Sequence, residues 1–309
     1  MDTLVALRSA VRAALSKFSP GDLILVAVSG GADSLALAES AKLEADKLSL
    51  KLQAINIDHQ LQPGSAAQAE TVKNQLSFPC EIRKVEVKIT DGLEASARRA
   101  RYEALISFAK ESGAVAVLLG HTKDDQAETV LLGLARGSGA RSLSGMAQET
   151  GIFLRPFLNI TREQTVASCK ELNLKPWNDP HNDDLNFLRV RARKKVLPIM
   201  ESELGPGISE ALVRSANLLR DDADALDLLA EEFWKKDSSL EVSTLLELPK
   251  AIRTRVLRIA LFEAGVTQLS ADQVSQVEAL ISNWKGQGEV SLPAGVKVSR
   301  ISGRLTLSN

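Results

Sequence analysis

Apolar and polar positions alternate along the first half of the chain in blocks that predict strands and helices in turn. Two continuous apolar runs, at 23–28 and 114–119, are typical of strands covered on both faces. Further strands are predicted at 52–57 and 82–87. Helical stretches are predicted at 33–47, 66–76, 93–110 and from 124 onward, with an N-terminal helix within 1–18 that packs on the sheet. This alternation predicts a doubly wound, mainly parallel α/β sheet.

The alternation of strand and helix signals ends after Gly151. The segment Gly205–Gly207 predicts a break in regular structure. Residues 208–236 then have the apolar spacing of a helix, and they form either one helix or a pair of helices. Helices are predicted at 250–265 and 271–284, followed by short strands at 296–301 and 305–307. The chain is therefore predicted to have an α/β domain at 1–205, a connecting helix at 206–236 and a small α+β C-terminal domain at 237–309.

Composition narrows the function classes. The 309 residues are 44% hydrophobic and 25% charged, with a net charge of −1, which predicts globular domains without a uniformly basic surface. The two cysteines, Cys80 and Cys169, are far apart and form no CxxC pair, so a zinc ribbon, an iron–sulfur cluster or a dithiol site has no obvious ligands. No apolar run approaches the ~18–20 residues that span a bilayer, and we expect a cytoplasmic protein without a membrane partner.

The segment after the first strand has the features of an anion site. It reads SGGADS from Ser29 to Ser34 and leads directly into a helix. Two glycines allow a sharp turn and a close ligand approach, and the N–H groups of the first helical turn attract phosphate. The alternative is a glycine-rich turn with a capping Ser or Asp. The lysine of a Walker loop and the GxGxxG pattern are both missing.

The SGGxDS loop resembles the pyrophosphate-binding loop of the N-type ATP pyrophosphatases, also called PP-loop enzymes. Those enzymes cleave ATP to AMP and pyrophosphate while they adenylate an oxygen of the substrate. The resemblance implies that ATP binds to the loop and that Asp33 helps to hold Mg²⁺ through the phosphates. The implied ATP-binding residues are Ser29, Gly30, Gly31, Ala32, Asp33 and Ser34.

A second motif distinguishes among members of this superfamily. Residues 120–146 contain HTKDDQAET followed by RGSG and GM, which is similar to the HxxDDQxET signature of the tRNA(Ile)-lysidine synthetase family. The resemblance extends over nearly all of 20–200. It implies that the α/β domain is catalytic and that the C-terminal domain contacts tRNA.

Two acidic residues of this motif are candidates for the chemistry. Asp125 and Glu128 lie three positions apart at a helix start and therefore share a face. They suit a cationic amine, with one of them acting as base on it. The spacing alone fits equally well a helix start whose acids complement the dipole, and the family resemblance favours the catalytic role.

Four other polar residues are candidates for nucleotide or substrate contact, each with an ordinary alternative. Asp58 and His59 follow a predicted strand, His121 follows another, and Arg136 begins the RGSG segment. A polar strand end explains the first three equally well, and a glycine C-cap explains the fourth.

The segment from Arg189 to Lys195 (RVRARKK) holds five basic residues in seven. A solvated helix face is the usual explanation, but the implied RNA substrate favours phosphate contact by Arg191, Arg193, Lys194 and Lys195. Arg189 is the candidate catalytic arginine. Many relatives have Asn after it where this chain has Val190, so Arg191 stays an alternative.

The resemblance implies a two-step reaction. ATP adenylates the carbonyl oxygen at carbon 2 of the first-anticodon cytidine in an isoleucine tRNA with a CAU anticodon, and free lysine then displaces AMP to give lysidine. Three alternatives stay open: a tRNA cytidine thiolase, which generally uses paired cysteines, a nucleotide sensor without turnover, and an RNA-binding module with a vestigial loop. The sequence leaves the oligomeric state open, with a homodimer as one alternative.

Overall fold

The computed structural model describes residues 3–62, 64–90, 92–137 and 139–308. They form two compact units. The first consists of Met1–Gly137 and Gly145–Ser215, and the second of Ser138–Ser144 and Ala216–Asn309.

The first unit is built around a six-stranded sheet. Its strands are β1 (Leu23–Ala27), β2 (Lys51–Asp58), β3 (Cys80–Lys84), β4 (Ala116–Leu118), β5 (Glu149–Thr150) and β6 (Phe153–Leu154). Their spatial order is β3-β2-β1-β4-β6-β5, and every neighbouring pair is parallel except β5 with β6. The predicted doubly wound, mainly parallel sheet is confirmed.

Helices flank this sheet and continue into the second unit. They are α1 (Thr3–Leu15), α2 (Ala32–Lys47), α3 (Ser65–Gln75), α4 (Leu93–Ser112), α5 (Lys123–Ala135), α6 (Ala140–Leu143), α7 (Arg162–Glu171), α8 (Leu188–Arg191), α9 (Leu197–Glu203), α10 (Ile208–Lys236), α11 (Val242–Glu247), α12 (Lys250–Glu263) and α13 (Ala271–Ser282). A π-helical turn, Ala192–Val196, joins α8 to α9. The stretch 208–236 is thus a single helix.

Small side chains shape the packing around α2. Its Ala36, Ala38, Ala41 and Ala45 are fully buried, which leaves room for another helix to approach closely. The N-terminal helix α1 packs mainly on α2 and α7, whereas the sequence predicts packing on the sheet. The strand order reverses between β1 and β4, so the loops that follow these strands meet where open α/β sheets bind ligands.

The second unit has a core of its own. Helices α11, α12 and α13 pack with an antiparallel sheet of β7 (Val290–Ser291), β8 (Lys297–Ile301) and β9 (Arg304–Ser308). Its two longer strands agree with the predicted strand pair. In the described part of the chain, no helix is long and apolar enough to cross a membrane.

Candidate active site

The loop after β1 is closed by its own hydroxyl groups. The Ser34 hydroxyl accepts the N–H groups of Ser29 and Gly30, each at 3.2 Å, and donates to the Gly31 carbonyl at 2.9 Å. The first intrahelical bond of α2 runs from Leu35 to Gly31. The N–H groups of residues 32–34 precede that bond and therefore have no partner within the helix, which is the arrangement that binds anions at helix N-termini.

Gly30 fits a position that a side chain would not enter. Its φ is +91°, and a β-carbon there would lie 2.5 Å from Cγ2 of Val72. The Gly30 carbonyl accepts the Trp177 N–H at 2.9 Å, so the segment around Trp177 passes over the loop. The Asn56 amide holds the preceding Val28 carbonyl at 2.7 Å. The loop is therefore fixed from three sides.

One cavity of about 710 Å³ opens at the carboxyl ends of β1, β2 and β4. This volume is in the range of small-molecule sites. Of the residues predicted from the sequence, the cavity is lined by Ser29, Gly31, Ala32, Asp33, Ser34, Asp58, His59, His121, Asp125, Arg189 and Arg193. The structure thus brings the loop, both strand ends and the start of α5 together.

Asp33 lies in the first turn of α2 with its side chain 18% exposed. Its Oδ1 accepts the Thr165 hydroxyl at 2.5 Å, and its Oδ2 is 3.1 Å from a terminal nitrogen of Arg162. Burial raises the pKa of Asp33 above its ordinary value, and Arg162 and Thr165 oppose this rise. The guanidinium therefore favours the ionised carboxylate.

Asp125 combines a helix-capping contact with an ion pair. Its Oδ2 accepts the N–H and hydroxyl of Thr122 at 2.9 and 3.0 Å, which completes a capping box, while Oδ1 lies 3.7 Å from Arg162. Burial disfavours its charged form, but Arg162 and the Thr122 N–H outweigh burial and lower its pKa. Asp125 therefore caps α5 and also lines the cavity.

Glu128 is fully buried beside two arginines. Its Oε1 accepts Nε of Arg193 at 2.7 Å, and its Oε2 is 3.9 Å from Nε of Arg189. Burial raises its pKa, and Arg193 opposes the rise. Glu128 is not among the residues that line the cavity, but both of its arginine partners are.

Both cavity histidines are in positions that disfavour their charged forms. Burial lowers the pKa of His121 to about 3, and burial together with Arg101 lowers that of His59. Nδ1 of each ring is buried without a partner among the described residues. The neutral form of both rings is thus favoured near pH 7. Asp58 accepts the Gln60 N–H at 2.9 Å.

The remaining predicted residues lie outside the cavity. Arg136 is exposed at the C-cap of α5, and Ser138 of the same RGSG segment falls outside the described residues. Arg191, Lys194 and Lys195 are exposed, and Lys194 pairs with Asp183. The basic segment therefore divides into an inner part, formed by Arg189 and Arg193, and an outer part.

Sequence reasoning missed the contribution of α7. Arg162 and Thr165 both reach Asp33 from its first turns, and the Arg162 N–H donates to Oδ2 of Asp124 at 2.8 Å. The signal was present in the sequence, because Thr161 and Gln164 form a capping box at the start of this helix.

The donor set suits a hard divalent cation that arrives with phosphates. No cluster of three or more His, Cys, Asp or Glu residues that could hold a metal occurs in the described ranges. Mg²⁺ typically uses one or two carboxylates and completes its shell with phosphate oxygens and water. Asp33, at the foot of the loop, is a carboxylate of this kind.

The sheet, the loop and the carboxylate beside it define a nucleotide-binding protein of the PP-loop class, and residues 6–200 match the PP-loop domain family. Residues 240–306 match the TilS substrate binding domain. The chain belongs to the tRNA(Ile)-lysidine synthase family.

Relatives of nearly full length support this assignment. The chain is 47% identical to the tRNA(Ile)-lysidine synthase of Thermobifida fusca, over 97% of this chain and 96% of that protein. It is 48% identical to that of Leifsonia xyli, over 93% and 90% respectively. The tRNA(Ile)-lysidine synthase of Mycobacterium bovis is 44% identical, over 89% and 86%.

A solved structure confirms the fold. The U34-tRNA thiolase NcsA from Methanococcus maripaludis, with its 4Fe-4S cluster, superposes with a TM-score of 0.58 over 71% of this chain and 79% of that chain. The two sequences are 17% identical, so the likeness concerns the architecture alone.

Proposed function

We propose that this chain uses ATP to ligate lysine to carbon 2 of the first-anticodon cytidine in isoleucine tRNA with a CAU anticodon. The cytidine O2 attacks the α-phosphorus and releases pyrophosphate. The ε-amino group of lysine then adds to carbon 2, loses a proton to a base, and AMP departs with the oxygen. Adenylation is needed because an amide-like oxygen is a poor leaving group. We also propose that it acts in the cytoplasm, which a tRNA substrate supports.

The observation that carries this proposal is one cavity shared by the SGGADS loop and the Asp125 carboxylate. In the proposed reaction, the loop N–H groups bind the pyrophosphate portion of ATP, and Asp33 would hold Mg²⁺, which would neutralise phosphate charge. Asp125 and Glu128 favour the lysine cation, with Asp125 lining the cavity directly and Glu128 holding Arg193 in place through their ion pair. Arg189 stabilises the phosphate charge that develops during adenylation.

The domain roles follow from the same proposal. The α/β domain at 1–205 performs the chemistry, α10 connects it to the small domain, and residues 237–309 contact the tRNA. The outer basic residues Arg191, Lys194 and Lys195 add phosphate contacts close to the catalytic domain.

The test is incorporation of labelled lysine into tRNA transcripts with ATP and Mg²⁺. We expect incorporation with a CAU anticodon and none with glutamine or ammonium. Asp33→Asn should keep the fold and lower pyrophosphate release by orders of magnitude, whereas Glu128→Gln should impair lysine use more than ATP binding. Transfer of sulfur to the tRNA, or tRNA binding without ATP turnover, would support one of the alternative functions instead.

A further inference from the structure

Arg162 lies between two carboxylates of the cavity, that of Asp33 in the first turn of α2 and that of Asp125 in the first turn of α5. One terminal nitrogen is 3.1 Å from Oδ2 of Asp33 and 3.7 Å from Oδ1 of Asp125. The backbone of the same residue is fixed, because its N–H donates to Asp124 at 2.8 Å. The side chain therefore extends from a fixed helix start towards two carboxylates, those of Asp33 and Asp125.

The guanidinium of Arg162 contacts the same carboxylate, Asp33, to which a metal ion would bind. Among the described residues, Asp33 has no other cation in contact, since its second oxygen accepts the uncharged Thr165 hydroxyl. A divalent cation at Asp33 would repel a positive charge about 3 Å from the same carboxylate. Cation and guanidinium thus compete for one oxygen pair.

Arg162 also has unused capacity for an anion. Its Nε is buried and has no hydrogen-bond partner within the described ranges. The side chain is 33% exposed and lines the cavity that also contains Ser29, Gly31 and Ser34 of the loop. A planar guanidinium with free donors is suited to phosphate oxygens.

We propose that Arg162 is an exchangeable counter-ion: it neutralises Asp33 in the nucleotide-free protein, and a divalent cation arriving there with ATP displaces it onto the phosphates. The inference rests on the proposed binding of metal and ATP at Asp33 and at the loop. It assigns to α7 a part in loading the nucleotide.

The proposal predicts effects of opposite sign on metal and on nucleotide. In Arg162→Gln without nucleotide, Mn²⁺ should bind about three- to tenfold more tightly, because the competing cation has gone. At saturating Mg²⁺, a fluorescent ATP analogue should bind about three- to tenfold more weakly, because its phosphates lose a charged donor. Mn²⁺ binding is followed by electron paramagnetic resonance and nucleotide binding by fluorescence titration, with neither tRNA nor lysine present.

Matched variants separate this effect from general loss of charge. Lys170→Gln removes one exposed positive charge from the same helix and should leave both affinities within about twofold of the unmodified protein. Arg162→Lys keeps the positive charge, so its Mn²⁺ affinity without nucleotide should stay close to that of the unmodified protein. Asp33→Asn combined with Arg162→Gln should abolish the gain in Mn²⁺ affinity.

Equal or weaker Mn²⁺ binding by folded Arg162→Gln would overturn the proposal, and so would unchanged nucleotide binding. If Arg162→Gln does not fold, Arg162→Lys decides, since a guanidinium that is only structural predicts parallel losses in both affinities. These results are independent of lysine incorporation into tRNA, which tests the proposed function separately.

Discussion

Gly30 and Gly31 are neighbours in the loop, but the backbone places different demands on them. Gly30 has a φ of +91°, and a β-carbon at this position would lie only 2.5 Å from Val72. Gly31 has a φ of −69°, and the nearest atom to a β-carbon there is the Ser29 hydroxyl oxygen at 3.7 Å. A side chain at the first position meets both backbone strain and a steric clash. At the second it meets neither.

We therefore predict that Gly30→Ala destabilises the protein by about 2–4 kcal/mol, from strain at positive φ and from overpacking. Gly31→Ala should change the free energy of unfolding by less than about 1 kcal/mol, since its backbone is ordinary. Urea unfolding of both variants gives the comparison. Equal losses would contradict the prediction that only Gly30 is constrained by its backbone and by Val72.

At this scale the SGGADS loop could be predicted from the local sequence, whereas the catalytic role of Asp125 was favoured only by the family resemblance and stays a prediction. The partners of Asp33 were not predictable in the same way. Arg162 and Thr165 are distant from it along the chain, with Thr165 at a separation of 132 residues. Only the parallel order of β1, β4 and β6 brings α7 beside α2, and no periodicity near Asp33 encodes that order.

Among the secondary-structure elements, α1 is anchored to α2 by one buried carboxylate. Glu44 of α2 is 1% exposed at its side chain and accepts Nε of Arg8 and of Arg12, each at 2.7 Å, with Lys47 at 3.4 Å. The hydrogen bond from Arg12 is the largest influence that lowers the pKa of Glu44 to about 2, with burial opposing it.

A carboxyl group whose pKa is lowered on folding stabilises the protein above its unfolded pKa. For Glu44 this stabilisation is present above pH 4.5 and is lost as pH falls towards about 2. Glu44→Gln should therefore lower the free energy of unfolding by about 1–3 kcal/mol at pH 7 and flatten its fall between pH 4.5 and 2. Denaturant unfolding at several pH values measures both effects.

The control is Asp46→Asn on the same helix. Asp46 is 59% exposed and pairs with Lys42, an arrangement worth only about 0.3–0.5 kcal/mol. If both variants lose the same small amount, Glu44 does not anchor α1.

The helices predicted best from the sequence are those with a clear boundary signal, and α10 was predicted across its full length, Ile208–Lys236. The short strands β5 and β6 have two residues each, too few for a period to appear. The apolar pattern does not predict α7, because most of its residues are polar. The capping box at its start is a stronger signal for this helix than its apolar periodicity.

The outer part of the basic segment is predicted to bind RNA without choosing its sequence. Lys194 and Lys195 are exposed on the turn before α9. Each phosphate contact contributes a salt slope of about −0.7 to −0.9. Replacing both lysines by Ala should weaken the binding of all tRNAs alike, with selectivity for CAU unchanged. The salt slope should become flatter by roughly the amount that one to two phosphate contacts contribute.

Arg193→Ala is the comparison, because this residue faces Glu128 at 2.7 Å. It should lower turnover even at saturating tRNA, since its loss leaves a buried carboxylate beside the cavity. A salt slope unchanged by the double lysine variant would mean that these side chains form only a solvated surface.

On the scale of the whole molecule, each unit has its own core. We therefore expect a substitution in the core of one unit to change the stability and ligand binding of that unit and to leave those of the other unit nearly unchanged. The core of the second unit contains a buried ion pair, Arg253 with Glu278, whose side chains are 9% and 7% exposed. Arg253 also donates to the Leu248 carbonyl at 3.0 Å, and Ser282 donates to the second oxygen of Glu278 at 3.0 Å. These polar contacts of the pair lie within the second unit.

We predict that Arg253→Met destabilises the second unit by about 3–5 kcal/mol, because Glu278 would be left buried without a counter-charge. Calorimetry should show an early transition in this variant, and ATP should raise the temperature of the other transition only. ATP affinity should stay near that of the unmodified protein while tRNA affinity falls. Arg253→Met combined with Glu278→Leu should restore much of the stability, since the pair is then replaced by apolar packing. A single transition that ATP shifts as a whole, or an equal loss of ATP and tRNA binding, would show that the two units fold and bind as one.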